Sequence, residues 1–149
     1  MDIFDYIDQL SATYNSLLPM SPENQRRWDK KVRLEFNYNS NHIEGNTLTY
    51  GETELLLLFD ETHGSRPMRD YEEMKAHDVA FQKIKEWATD TETPLTEQDI
   101  KNLNQIILVQ PFWKNAITPD GQPTRRQIKV GSYKTEPNSV RLPNGELFE

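Results

Sequence analysis

Apolar residues first recur at Ile3, Ile7, Leu10, Tyr14 and Leu17. That spacing predicts an amphipathic helix over 3–18. "LPMSP" interrupts it, and Ser21 followed by Pro22 reads as the cap and first position of a second helix. Along that helix Trp28, Val32, Phe36 and Ile43 fall on one side and predict a buried stripe, with Asn39 lying inside it. Thr49 and Glu52 suit a capping box that opens a third helix, which carries the leucine run 55–59 as a core segment and ends near Asp60. "ETHGSRP" reads as a loop. A strong amphipathic helix follows over about 69–88, with Tyr71, Met74, Phe81, Ile84 and Ala88 on one face. "TDTETP" breaks it, and Thr96 caps a fifth helix with Ile100, Leu103 and Ile107 facing inward.

After Gln110 the pattern changes. "PFWKNAITPDGQP" reads as loop, "RRQIKVGSY" as a short strand, and Asn144-Gly145 as a hairpin turn. The fold class expected is mainly α: a bundle of five helices followed by a small β-hairpin region. Composition narrows the partners. The 149 residues carry 17 basic and 24 acidic side chains, a net charge of −7, so nucleic acid and anionic membranes are poor partners. There is no cysteine, which excludes disulfides and thiolate metal sites and fits a cytoplasmic protein. The acidic start "MDIFDYIDQL" is no secretory signal, and no run approaches the roughly 18 apolar residues of a spanning helix.

The second helix ends in "NYNSNHIEGNTLT", residues 37–49. Gly45 is a natural residue for a left-handed helix stop. Glu44 then carries its charge at the negative end of the helix macrodipole, where Lys or Arg would be at ease. Ser40 stands one turn earlier on the same face. A carboxylate there invites an arginine partner; the plainer alternative is a solvated surface glutamate. Of the three histidines, His77 between Met74 and Phe81 reads as a hydrogen-bonded core residue, and His42 and His63 as surface residues. None has metal-ligand spacing. Arg125, Arg126 and Lys129 form one basic cluster near a strand, either a phosphate contact or a charged strand edge. Gly131 offers a place for close approach of a ligand. No phosphate-binding loop, dinucleotide fingerprint or zinc-protease motif is present.

The stretch "SNHIEG", Ser40 to Gly45, resembles the Ser/Thr-x-x-x-Glu-Gly/Asn motif of the inhibitory helix in Fic-family proteins. "DYEEMKAHDVAF" and "PLTEQDIKNLNQIIL" are similar to core helices of that family, and "RRQIKVGSYKTEPNSV" is similar to its flap. The resemblance implies N-terminal helices over 1–48, with the inhibitory helix at about 22–44. It implies the first part of a Fic-like core over 49–149, closing in a flap hairpin at about 124–149. It further implies a protein AMP transferase that uses ATP and Mg²⁺ and modifies a hydroxyl side chain of a target protein. Glu44 would inhibit by pairing with an arginine meant for the γ-phosphate, Ser40 would help seat the helix, and Gly45 would end it. Val130, Gly131, Ser132 and Tyr133 would be flap residues beside the nucleotide, and the target would lie along the flap by strand addition. A homo-oligomer is left open.

The family's catalytic signature, His-x-Phe-x-Asp/Glu-Gly-Asn-Gly-Arg-x-x-Arg, does not occur in the sequence. The chain is therefore expected to be the N-terminal piece of such a protein. It is expected to contain no catalytic or metal-binding residue of its own, to bind ATP and Mg²⁺ weakly at best, and to transfer nothing by itself. The alternative is a stand-alone, antitoxin-like binding module that presents Glu44 to a separate Fic chain.

Overall fold

A computed structural model describes residues 2–118, 120–135 and 140–148 of the chain. Its elements run α1 (Ile3–Ser16), α2 (Pro22–Ile43), α3 (Tyr50–Phe59), α4 (Met68–Thr89), α5 (Glu97–Leu108), β1 (Phe112–Ile117), β2 (Pro123–Ile128), β3 (Val140–Arg141) and β4 (Leu147–Phe148). Local chemistry sets most helix starts. The Ser21 hydroxyl accepts from the Asn24 amide, with Pro22 at the first helical position. Thr49 with Glu52 and Thr96 with Asp99 form reciprocal capping boxes. The positive φ of Asp60, 57°, ends α3.

Helices α2, α3 and α4 pack on one another, and α5 packs on α4. Leu48, Leu56, Tyr71 and Met74 form the apolar centre, with Leu57 against them. Of the leucine run, only Leu56 is buried outright. Tyr71 and Met74 sit on the buried side of α4 as the periodicity predicts, whereas Ile84 is exposed. On α5, Ile100 is exposed and Leu103 and Ile107 are half-buried. Among the described residues α1 packs on no other element, and its apolar stripe, Ile3, Ile7, Leu10, Tyr14 and Leu17, is exposed.

The stripe expected on α2 is not its buried face. Trp28 is 52% and Ile43 82% exposed, and Asn39 is exposed too. The buried residues of α2 are Leu34, Asn37 and Asn41. This helix meets α4 through hydrogen-bonded polar groups, so apolar spacing pointed to its flank. Phe36, on that flank, stacks on Phe81 with ring centroids 4.8 Å apart.

The segment "PFWKNAITPDGQP" is not all loop. Residues 112–117 form β1, paired antiparallel with β2 from Phe112 opposite Ile128 to Ile117 opposite Pro123. Thr118 closes the turn by accepting at Oγ1 from the Gln122 amide while its own amide donates to the Gln122 carbonyl. The predicted strand "RRQIKVGSY" is therefore shorter at its C-terminal end, and residues 129–135 are not strand. Asn144-Gly145 does lie in the turn of a second hairpin, β3 with β4. The expected flap residues 136–139 and 149 lie outside the described residues.

Candidate functional site

The C-terminal end of α2 is built on asparagines. Asn37 is fully buried, at 0% exposure. Its Nδ2 donates to the Arg33 carbonyl at 2.9 Å and to Asp78 Oδ1 at 2.9 Å. Both amide protons are thereby used, so its Oδ1 accepts from His77 Nδ1 at 2.7 Å. His77 is thus a hydrogen-bonded, half-buried histidine, as its place in the sequence suggested. Neutral, it carries its proton on Nδ1. Burial pushes its pKa below the ordinary value, and the neighbouring Asp78 opposes that shift. Arg33 grips the same carboxylate with two bonds, Nε to Oδ1 at 2.8 Å and NH2 to Oδ2 at 2.6 Å. That bond chiefly, against the cost of burial, raises the Arg33 pKa.

Farther along, Asn41 Nδ2 donates to the Asn37 carbonyl at 2.9 Å, and the Asn46 amide donates to the Asn41 carbonyl at 3.0 Å. Buried Asn46 gives Nδ2 to the Asp70 carbonyl at 2.8 Å and accepts at Oδ1 from the Leu48 amide. The Thr47 amide donates to Asp70 Oδ2 at 3.0 Å, and the Thr47 hydroxyl donates to the same oxygen. Between these anchors Glu44 is the C-cap of α2, with φ −82° and ψ 1°, and Gly45 follows at φ +94°, a left-handed turn that glycine adopts without strain.

Ser40 and Glu44 therefore lie together on the last turn of α2. Ser40 is half-buried and Glu44 exposed. Among the described residues neither side chain has a hydrogen-bond or ion-pair partner. The result is a carboxylate at the negative end of a 22-residue helix, exposed to solvent beside a hydrogen-bonded base. Chemically it can accept a bidentate guanidinium.

Residues 130–133 sit elsewhere. They follow β2 and lie against α5: the Gly131 amide donates to Asn104 Oδ1 at 3.0 Å, and Lys101 Nζ lies 4.4 Å from the centre of the Tyr133 ring. A Cβ on Gly131, at φ +65°, would stand 2.9 Å from Gln105 Oε1. The glycine thus serves close approach to α5. Among the described residues α2 packs on α3 and α4 but not on α5 or the hairpins. In the basic cluster, Arg125 lies over the Trp113 ring, 6.0 Å from its centre. No group of three His, Asp or Glu among the described residues is placed to hold a metal ion, and no helix among them is long and apolar enough to cross a membrane.

Sequence reasoning missed the Arg33–Asn37–Asp78–His77 cluster. The signal was present: Arg33, Asn37 and Asn41 recur one turn apart, the spacing of a polar face turned inward.

No protein-family model matches the chain, and no curated protein matches it. Among solved structures, the chain is similar to a Fic-domain-containing signalling protein from Bacteroides thetaiotaomicron, at 53% identity over 95% of this chain and with a TM-score of 0.80. This chain spans 48% of that protein's length. The likeness makes the fold Fic-like and supports a Fic-family reading.

Proposed function

We propose that this chain is the N-terminal, regulatory part of a Fic-type protein AMP transferase, in which Glu44 restrains productive ATP binding. The observation that carries the proposal is the Ser40–Glu44–Gly45 motif at the exposed C-terminus of α2, in a chain 53% identical to a Fic-domain-containing protein. An exposed carboxylate at the unfavourable end of a helix finds no partner among the described residues. It gains a charge-assisted pair if an arginine of the nucleotide site meets it. That arginine is then withheld from the γ-phosphate of ATP. Residues 130–133 would border the nucleotide as part of the flap, and a target protein would add a strand to its edge.

The described residues hold no three-ligand cluster, and the sequence has no His-x-Phe-x-Asp/Glu-Gly-Asn-Gly-Arg segment. We expect the 149-residue polypeptide to transfer no AMP by itself.

The test starts with the coding DNA beyond codon 149. A continuation into the catalytic signature is expected. In that longer protein Glu44→Gly should raise AMP transfer about tenfold or more, since each 1.4 kcal/mol of relieved competition is worth a factor of ten. Unchanged transfer and ATP affinity in that variant would sink the inhibitory reading. A stop codon after Glu149 would instead favour a binding module that offers Glu44 to a separate chain.

A further inference from the structure

Two aspartates of α4 are buried, Asp70 at 8% and Asp78 at 7% exposure. They stand eight residues apart, about 12 Å along the helix axis and on roughly one face. Each grips a different side of the same short segment. Asp78 takes Arg33 and Asn37 before the last turn of α2. Asp70 takes the amide and hydroxyl of Thr47 just after that turn, and its own carbonyl takes Asn46. Ser40, Glu44 and Gly45 lie between the two grips. Apolar packing is scarce here: the buried residues of α2 are Leu34, Asn37 and Asn41.

We propose that Asp70 and Asp78 are positioning residues that fix the place and direction of Glu44. The proposal rests on the inhibitory reading of Glu44 and names its control. Asp70 acts through the amide and hydroxyl of Thr47, and Asp78 through the side chains of Arg33 and Asn37. With both grips closed, Glu44 has one place to be, and an arginine docks against a preorganised carboxylate. With either grip open, the turn frays and the pairing weakens.

The absence of cysteine makes a direct test clean. Glu44→Cys and Gln82→Cys, the second on the exposed side of α4, accept a pair of spin labels in the 149-residue chain. The label distance should be narrow in that background. It should broaden when Asp70→Ala, Thr47→Val or Asp78→Asn is added, with helix content unchanged by circular dichroism. If Asp78→Asn fails to fold, the other two decide, because Thr47 is exposed and its grip lies at the edge of the core. Distributions as narrow as the parent's in Asp70→Ala and Thr47→Val overturn the proposal.

In the longer protein, Asp70→Ala should raise kcat/KM for ATP, on the order of fivefold or more, and should add nothing to Glu44→Gly. A purely structural defect would lower activity in both backgrounds. If Glu44→Gly activates and Asp70→Ala does not, the positioning role is lost and the inhibitory reading survives. If Glu44→Gly fails to activate, the inhibitory reading is lost and the regulatory part of the proposal falls with it, while the label distances still judge the grips.

Discussion

Asn37→Asp is a change of one side-chain group with a calculable pH signature. The Asn37 Nδ2 lies 2.9 Å from Asp78 Oδ1 and 2.9 Å from the Arg33 carbonyl. The substitution puts an oxygen there, facing a carboxylate and a carbonyl. Two unit charges about 3 Å apart repel by roughly 5.5 kcal/mol at an effective dielectric of about 20. The Arg33 guanidinium offsets part of that. The cost is also capped, because the pair can bind a proton instead. At pH 7, protonating a carboxyl of ordinary pKa, about 3.9, costs about three units, or roughly 4 kcal/mol. The bound proton then restores a donor between the two oxygens. The variant should therefore lose up to about 4 kcal/mol at pH 7 and only about 1.5 kcal/mol at pH 5. Asn37→Ala is the control: it removes the bonds to Asp78 and His77, about 2–4 kcal/mol, without adding a carboxyl. Urea unfolding at pH 5, 6 and 7, followed by the fluorescence of the three tryptophans, measures both. A loss for Asn37→Asp that is the same at pH 5 and pH 7, relative to wild type, would refute the facing of Asn37 and Asp78.

Three further outcomes follow from the structure. Glu52, accepting from the Thr49 amide and from Arg66, has its pKa lowered from 4.5 to about 2, the Thr49 bond being the largest cause. A depressed carboxyl pKa contributes stability that is present above 4.5 and lost as pH falls toward 2, so the gap in urea midpoint between wild type and Glu52→Gln should narrow from pH 5 to pH 3; a constant gap would count against it. The His77 pKa is lowered from 6.5 by burial, so its contribution is intact above 6.5 and declines as pH falls through the depressed value; His77→Asn, which keeps a donor where Nδ1 was, should flatten the stability slope between pH 7.5 and 5.5, and an unchanged slope would assign it to other groups. Gly131→Ala, at φ +65° and against Gln105, should cost about 1 kcal/mol or more of local stability and speed exchange of the amide at 131; equal exchange rates in both proteins would contradict the close packing on α5.

What was legible in the sequence was local. Ser21 with Pro22, Thr49 with Glu52 and the Thr96 cap act within one helical turn, and the structure uses all three as the sequence suggested. Asn144-Gly145 needs only its own backbone to turn. What failed depends on partners far along the chain. Asn37 is buried because Asp78, 41 residues away, accepts its proton, and apolar periodicity is silent about such a pair. β1 was missed because Phe112–Ile117 becomes strand only by pairing with β2, and its flanking prolines read as loop. At the candidate site, Glu44 stood out because it strains a local rule beside a natural helix stop at Gly45, whereas Asp70 and Asp78 look on paper like ordinary helix-surface acids.

The isolation of α1 has a consequence for how this protein reports its own unfolding. A 14-residue helix that packs on no other element among the described residues has only local hydrogen bonds to hold it, and such lengths are marginal in water. Its melting is uncoupled from that of the α2–α4 body. Helical ellipticity sums the two and should slope well before the main transition. The tryptophans, at 28, 87 and 113, lie outside α1 and do not register its melting. The two signals will give different midpoints for one homogeneous sample, and the mismatch will measure a loose helix rather than a folding intermediate.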